Sequence, residues 1–348
     1  MNNRARPRPP MDGPEEFIVQ ILAGTDLIAI DVGASHFLPT NFYPLERVVT
    51  LCLFEPYEPA AEELRSKYAR LGLANVRIFG DALADSNATR VLHVTNAPSS
   101  SSLLKPKPRE YFANPDYVYP VKEVPVRTRR LADVLDEAGL PRADALKIDT
   151  QGAELLVLTG LGERFSRDTL AVELEIGFPG SYIDQPGFAQ IDKFFTSAGF
   201  ELIDFRPVRH HRPVNGDGNY YPLRVFNVSP DSHSLSKRID EADALYFRPL
   251  DAIIAMRDGA SVRRALVMYC AYGFFPEAMT LLECAKRAAI FTDQEASVCD
   301  AAMRGWHCNG SDVIADSQWF ARLTLFMEHG SRRVQRRLLG KRFWRWMD

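Results

Sequence analysis

Between Leu27 and Ile176 the chain alternates short, nearly uninterrupted apolar runs with amphipathic stretches. The runs are Leu27–Val32, Val48–Phe54, Val76–Phe79, Ala145–Ile148 and Leu170–Ile176, and each reads as a strand covered on both faces. Pro59–Leu71, Arg130–Ala138, Ala153–Leu158 and Phe188–Ala198 carry apolar residues at helical spacing. Buried strands separated by helices predict a doubly wound α/β domain with a mostly parallel sheet. Two stretches break the rhythm. Ala97–Pro120 holds four consecutive serines and several prolines and reads as a long binding loop or lid. Arg206–Tyr221 mixes arginines, glycines, His210 and His211 and reads as irregular.

Strand signals end near Asp251. Val262–Tyr272 and Phe275–Ala288 read as a pair of antiparallel helices joined near Gly273, and no second copy follows at a fixed period, so a cap is expected rather than a repeat array. The expected organisation is a disordered basic, proline-rich tail over 1–13, the α/β domain over 14–250, a helical extension over 251–330 and a basic aromatic tail over 331–348. That last tail carries seven Lys/Arg against one Asp, with its apolar residues roughly on one helical face. Packing on the extension is favoured for it; peripheral contact with an anionic membrane is the competing reading.

Composition narrows the classes. With 348 residues, 46% hydrophobic and 25% charged, the chain has ample material for a core. A net charge of −3 argues against a surface built for nucleic acid. The five cysteines form no CxxC unit, so a structural zinc site is not expected and a reducing, cytoplasmic compartment is. No signal peptide or membrane span is legible.

The candidate chemistry lies at strand ends. The first strand delivers Asp31 and a turn through Gly33 and Ala34, the second ends in Glu55, and the third reaches Asp81 and Ala82. Each acid alone is explained by capping of the next helix; three at successive strand ends make a rim suited to a cationic or hydroxyl-bearing ligand. The first turn lacks the GxGxxG of a pyrophosphate site. In ALKIDTQGAELLVL, Lys147, Asp149 and Glu154 surround a turn through Gly152, and LAVELEIGF adds Glu173 and Glu175 in alternation. The structural alternative is that Asp149 and Glu154 organise the turn and the helix start.

The ordered set DVGA, FEP, GDALAD, SSLL, LKIDTQGAELLVL and VELE, with DALYFR near 243–248, resembles the FkbM-like family of S-adenosylmethionine-dependent methyltransferases over roughly 25–250. The resemblance implies a class I methyltransferase (Rossmann-like) fold with a late antiparallel strand. It also implies methyl transfer to a hydroxyl of a sugar, glycan or secondary metabolite. Asp31, Gly33 and Ala34 would line the methionine end of the cofactor, Glu55 would hold the ribose, and Asp81 with Ala82 would lie against adenine. Asp149 leads the catalytic candidates, supported by Glu154 and Glu173, with Lys147 tuning charge or meeting substrate. His36 is a candidate base just past the cofactor loop. Ser101 and Ser102 in the long loop, and His210 and His211 among arginines, are candidate substrate contacts. A divalent metal is left open, with Asp149 its ligand if there is one. Pro39 and Pro44 depart from the family by predicting a broken or very short first helix. Two alternatives stand beside the enzyme: a non-catalytic binding protein recruiting partners through its helical extension, and an NAD(P)-dependent oxidoreductase. A homo-oligomer is also left open.

Overall fold

A computed structural model describes residues 13–34, 40–107, 119–178, 180–211 and 238–308. Its first element is a short helix, α1 (Glu15–Leu22), which ends where Ala23 turns left-handed. The central sheet uses β1 (Ile28–Val32), β2 (Thr50–Phe54), β3 (Val76–Phe79), β7 (Ala145–Ile148), β8 (Ala171–Gly177), β9 (Glu201–His211) and β10 (Arg238–Phe247), in the spatial order β3-β2-β1-β7-β8-β10-β9. All neighbours from β3 to β8 pair parallel, while β10 runs antiparallel to both β8 and β9. This is the class I methyltransferase arrangement. The five apolar runs of the sequence are β1, β2, β3, β7 and β8. They are strands because both of their faces find cover: β1 has no exposed position.

Between the strands lie α2 (Glu58–Leu71), α3 (Leu131–Glu137), α4 (Glu154–Leu161), α5 (Glu163–Asp168) and α6 (Phe188–Ser197). In α2, Pro59 occupies the first turn, where no N–H is missed, and Gly72 closes the end with φ +66°. A smaller sheet, in the order β4-β6-β5, is built from β4 (Ala82–Leu83), β5 (Ala88–Thr95) and β6 (Pro120–Arg129). The long loop read at 97–120 therefore connects the strands of an antiparallel pair. The stretch read as irregular from Arg206 is strand as far as His211, and among the described strands β9 lies at the edge of the sheet, paired to β10. Residues 212–221 lie outside the described residues.

The expected broken first helix is a six-residue 3₁₀ turn, Thr40–Leu45, with Pro44 inside it. The sheet face it leaves open is filled from the far end of the chain. After α7 (Leu250–Ala255), α8 (Gly259–Ala271) and α9 (Phe275–Arg287) turn about Gly273 at φ +83°, and a last described helix covers 293–308. Asp258 caps α8 by accepting from the N–H groups of Ala260 and Ser261. Every residue of α8 from Ser261 to Ala271 is buried. Its apolar side chains share one cluster with Phe42 and Leu45 of the 3₁₀ turn, Ile18 and Ile21 of α1, and Ala29 and Leu51 of the sheet. The opposite face packs Ile28, Ile30, Leu146 and Leu174 against α3 to α6.

Candidate active site

The carboxyl ends of β1, β2, β3 and β7 enclose an open cleft lined by Gly33, Glu55, Asp81 and Asp149. Its floor is the turn after β1. Gly33 sits at φ +86°, and a Cβ there would lie 2.0 Å from the carbonyl oxygen of Asp149, so only glycine lets β1 and β7 converge. The N–H groups of Gly33 and Ala34 both donate to the Phe54 carbonyl, at 3.0 and 3.2 Å. One wall carries Glu55, nearly buried, whose Oε1 accepts the Tyr57 N–H at 2.7 Å. Asp81 and Ala82 line the cleft at the next strand end, where Arg129 stands 4.0 Å from Asp81. Phe54, Leu83, Leu92 and Leu103 add apolar surface.

The long loop closes the cleft from above. Ser99, Ser101 and Ser102 all line it. The Ser101 hydroxyl accepts the Thr95 N–H at 3.3 Å. The Ser102 hydroxyl, buried, donates to the Gln151 carbonyl at 2.8 Å and accepts the Leu104 N–H at 2.9 Å, fastening the loop to the turn after β7.

On the far wall Asp149 lines the cleft, and its carboxylate is partly exposed. Lys147 Nζ donates to its Oδ2 at 2.9 Å and Gln151 Nε2 to its Oδ1 at 2.7 Å. Lys147 stands directly between Asp31 and Glu173 in strand register. Burial alone would discharge this lysine, but Asp149, Asp31, Asp243 and Glu173 override it and hold the ammonium. Asp31 is buried and its carboxyl is pushed up to about 7 by desolvation, against the pull of Lys147. Burial likewise raises Glu175 well above the carboxylate range.

The structure gathers Gly33, Glu55, Asp81, Ala82, Ser101, Ser102, Asp149 and Thr150 around one cleft, with Asp31 immediately behind it. Others among the expected residues take different places. Ala34 is buried behind the turn. Glu154 is buried and its Oε1 accepts from the N–H groups of Thr150 and Gly152, so this acid closes the turn rather than facing the cleft; burial pushes it up to about 7. Lys147 reaches Asp149 and holds that carboxylate through its Nζ. Ser102 spends its hydroxyl on the loop. Glu173 is buried on the face shared with Asp31, and its Oε2 has no hydrogen-bond partner. His36 lies outside the described residues, as do the side chains of His210 and His211, whose backbone ends β9. Sequence reasoning missed Gln151 and Tyr182; the one trace of Gln151 was its place before Gly152 in the turn. Among the described residues no group of three or more His, Cys, Asp or Glu is arranged to hold a metal ion, and no helix is long and apolar enough to cross a membrane.

Residues 31–202, which carry the whole rim of this cleft, match the Methyltransferase FkbM domain. The 2-O-methyltransferase NoeI of Sinorhizobium fredii strain NGR234 is 30% identical over 158 residues, covering 43% of this chain and 63% of NoeI. The AMB antimetabolite synthetase AmbE of Pseudomonas aeruginosa is 26% identical over 268 residues, covering 67% of this chain and 12% of AmbE. The chain thus spans less than two thirds of either relative. Among solved structures, a precorrin-6y C5,15-methyltransferase from Geobacter metallireducens GS-15 is 10% identical with a TM-score of 0.33, covering 67% of this chain and 87% of that one. Residues 31–202, just under half of the chain, are thus where it matches the FkbM family of methyltransferases.

Proposed function

We propose that this methyltransferase uses S-adenosylmethionine and methylates a hydroxyl of a sugar, glycan or secondary metabolite. The observation that supports the cofactor is the order of groups around one cleft: the glycine-floored turn after β1, Glu55 at the end of β2, and Asp81 with Ala82 at the end of β3. These residues fit the group. Glu55 is a fixed carboxylate for a ribose diol, and Leu83, Leu92 and Leu103 are surfaces for a purine. Asp31, buried behind the turn, is an acid of the sign that suits an ammonium. The bound cofactor supplies an electrophilic methyl on a sulfonium.

A sugar hydroxyl is a poor nucleophile at neutral pH and gains from a base at the transition state. Asp149 lines the cleft with a partly exposed carboxylate, and Lys147 and Gln151 keep it oriented. In this reading Asp149 would take the proton of an acceptor hydroxyl held in line with the cofactor's methyl group. Alignment and a dry site supply most of the remaining rate. NoeI, a 2-O-methyltransferase by name, supports oxygen as the acceptor atom.

Calorimetric titration with S-adenosylmethionine and S-adenosylhomocysteine, with NADH as competitor, tests the cofactor. Micromolar binding that is lost in Asp31→Ala and Glu55→Ala is the expected result. Absence of binding by the unaltered chain overturns the reading; binding justifies a screen of sugar acceptors.

A further inference from the structure

Gln151 occupies a left-handed backbone conformation, φ +56°, which residues with a Cβ seldom adopt. Its carboxamide shows why it stays there. Nε2 donates to Asp149 Oδ1 at 2.7 Å and to Glu175 Oε2 at 2.7 Å, while Oε1 accepts the Tyr182 hydroxyl at 2.9 Å. Two donors on one atom and an acceptor on the next is a pattern that only a carboxamide supplies. Glutamate at this place would offer no donor and add a third acid; lysine would offer no acceptor.

Tyr182 carries the connection outward. Its hydroxyl also lies 2.7 Å from the Ser100 carbonyl, in the loop above the cleft. The backbone on either side zips to the same loop: Ile183 N–H donates to Lys105, Lys107 N–H donates to Ser181, and Tyr182 bridges Pro106. Gln185 stiffens the outer turn by accepting from the N–H groups of Ser181 and Tyr182. The one Tyr182 hydroxyl proton is thus shared between the Ser100 carbonyl of the loop over the cleft and Gln151 Oε1, and Gln151 Nε2 passes the connection to Asp149.

We infer that Gln151 and Tyr182 are positioning residues that tie the direction of the Asp149 carboxylate to closure of the 98–107 loop. The inference rests on the proposed role of Asp149 beside a cofactor cleft. Neither side chain lines that cleft, so each acts through another group.

The test is a double-mutant cycle read at Asp149 itself. The carboxyl ¹³C resonance of Asp149, assigned with Asp149→Asn, is recorded at one pH without ligand in the unaltered chain, Gln151→Met, Tyr182→Phe and the double variant. Gln151→Met keeps length and bulk but removes the donors; Tyr182→Phe keeps the ring and removes the hydroxyl. The expected result is that both single changes move the Asp149 resonance in the same direction. The double variant then matches Gln151→Met, because Tyr182 speaks to Asp149 only through Gln151. An Asp149 resonance unmoved by Tyr182→Phe, or shifts that simply add, overturns the inference; Tyr182→Phe decides alone if Gln151→Met does not fold. With an acceptor in hand, Gln151→Met lowers kcat at least about tenfold while KM for S-adenosylmethionine stays within about twofold, and an unchanged kcat overturns it too. Failure of the unaltered chain to bind S-adenosylhomocysteine would sink the methyltransferase reading separately, since the resonance cycle uses no ligand.

Discussion

Arg264 of α8 reaches through the core to Asp144, its Nε 3.1 Å from a carboxylate with no exposed surface. Asp144 introduces β7, accepts the Ile28 N–H at 2.8 Å and also holds Arg142. Its neighbour on the helix, Arg263, donates to the Ile21 carbonyl at 2.9 Å, at the end of α1. Two adjacent arginines thus pin the C-terminal helices to the N-terminal half of the sheet, on the face where the 3₁₀ turn replaces a regular helix. Removing one partner of a buried pair leaves the other charge uncompensated, at a cost of about 3–5 kcal/mol. Arg142 remains beside Asp144, so Arg264→Met should fall near the lower end. Urea unfolding measures it; a midpoint equal to that of the unaltered chain would refute the anchoring role.

The contact between Gly33 and Asp149 predicts a sharper effect. Gly33→Ala places a Cβ 2.0 Å from a backbone oxygen at φ +86°, and no side-chain rotation relieves it. The β1 turn or the end of β7 must move, and both line the cleft. S-adenosylmethionine affinity should drop at least about tenfold, a consequence of backbone strain alone. Gly72→Ala is the control: its φ is also positive, +66°, but a Cβ there meets nothing within 4 Å and it lies away from the cleft. Equal affinities in the two variants would show that the close approach does not shape the site.

The central sheet was legible because its parallel strands are buried on both sides, which writes them as apolar runs: LIAIDV and ALKI need no partner to be recognised. The smaller sheet was not. β6 alternates Val with charged residues and carries Pro125 in mid-strand, so its flanking loop dominated the reading. In β9 the charges that suggest a loop sit on an edge strand. At the site, acids at strand ends could be seen, but which way they face could not. Asp149 and Glu154 stand five positions apart around the same turn, yet one meets the cleft and the other its own backbone. Gln151 was invisible for a different reason: its partners are Glu175 in the next strand, β8, and Tyr182 just after it, and spacing along the chain does not report such contacts.

Ser102 predicts a separable effect on loop closure. Its hydroxyl gives one bond to the Gln151 carbonyl and takes one from the Leu104 N–H, both in a buried setting. Ser102→Ala leaves that N–H without its acceptor, at a cost of about 1–3 kcal/mol borne by the closed loop. S-adenosylhomocysteine should bind about tenfold more weakly, and amide exchange across 98–107 should quicken while the central sheet keeps its protection. Faster exchange throughout the sheet would mean that Ser102 supports the fold as a whole rather than the loop.

Asp31 ties the site to stability through pH. An ordinary aspartate ionises near 3.8, whereas burial lifts Asp31 to about 7 in the folded chain. Below pH 4 the group is protonated in both states and its charge costs nothing. As pH rises from about 4 to 7 the unfolded chain loses this proton and the folded chain retains it, so stability falls across that window and stays lower above it. Asp31→Asn removes the titration. The variant should match the unaltered chain near pH 4 and exceed it near pH 8, by at most about 4 kcal/mol at about 1.4 kcal/mol per unit. Glu154 and Asp144, raised by burial to about 7 and about 6, titrate in the same window but are common to both proteins, so the difference between the two curves isolates Asp31. Scanning calorimetry from pH 4 to 8 makes the measurement, and parallel curves would reject the assignment. The same variant should lose S-adenosylmethionine affinity: a carboxylate kept buried behind the β1 turn at the expense of stability is what a cation-binding site requires.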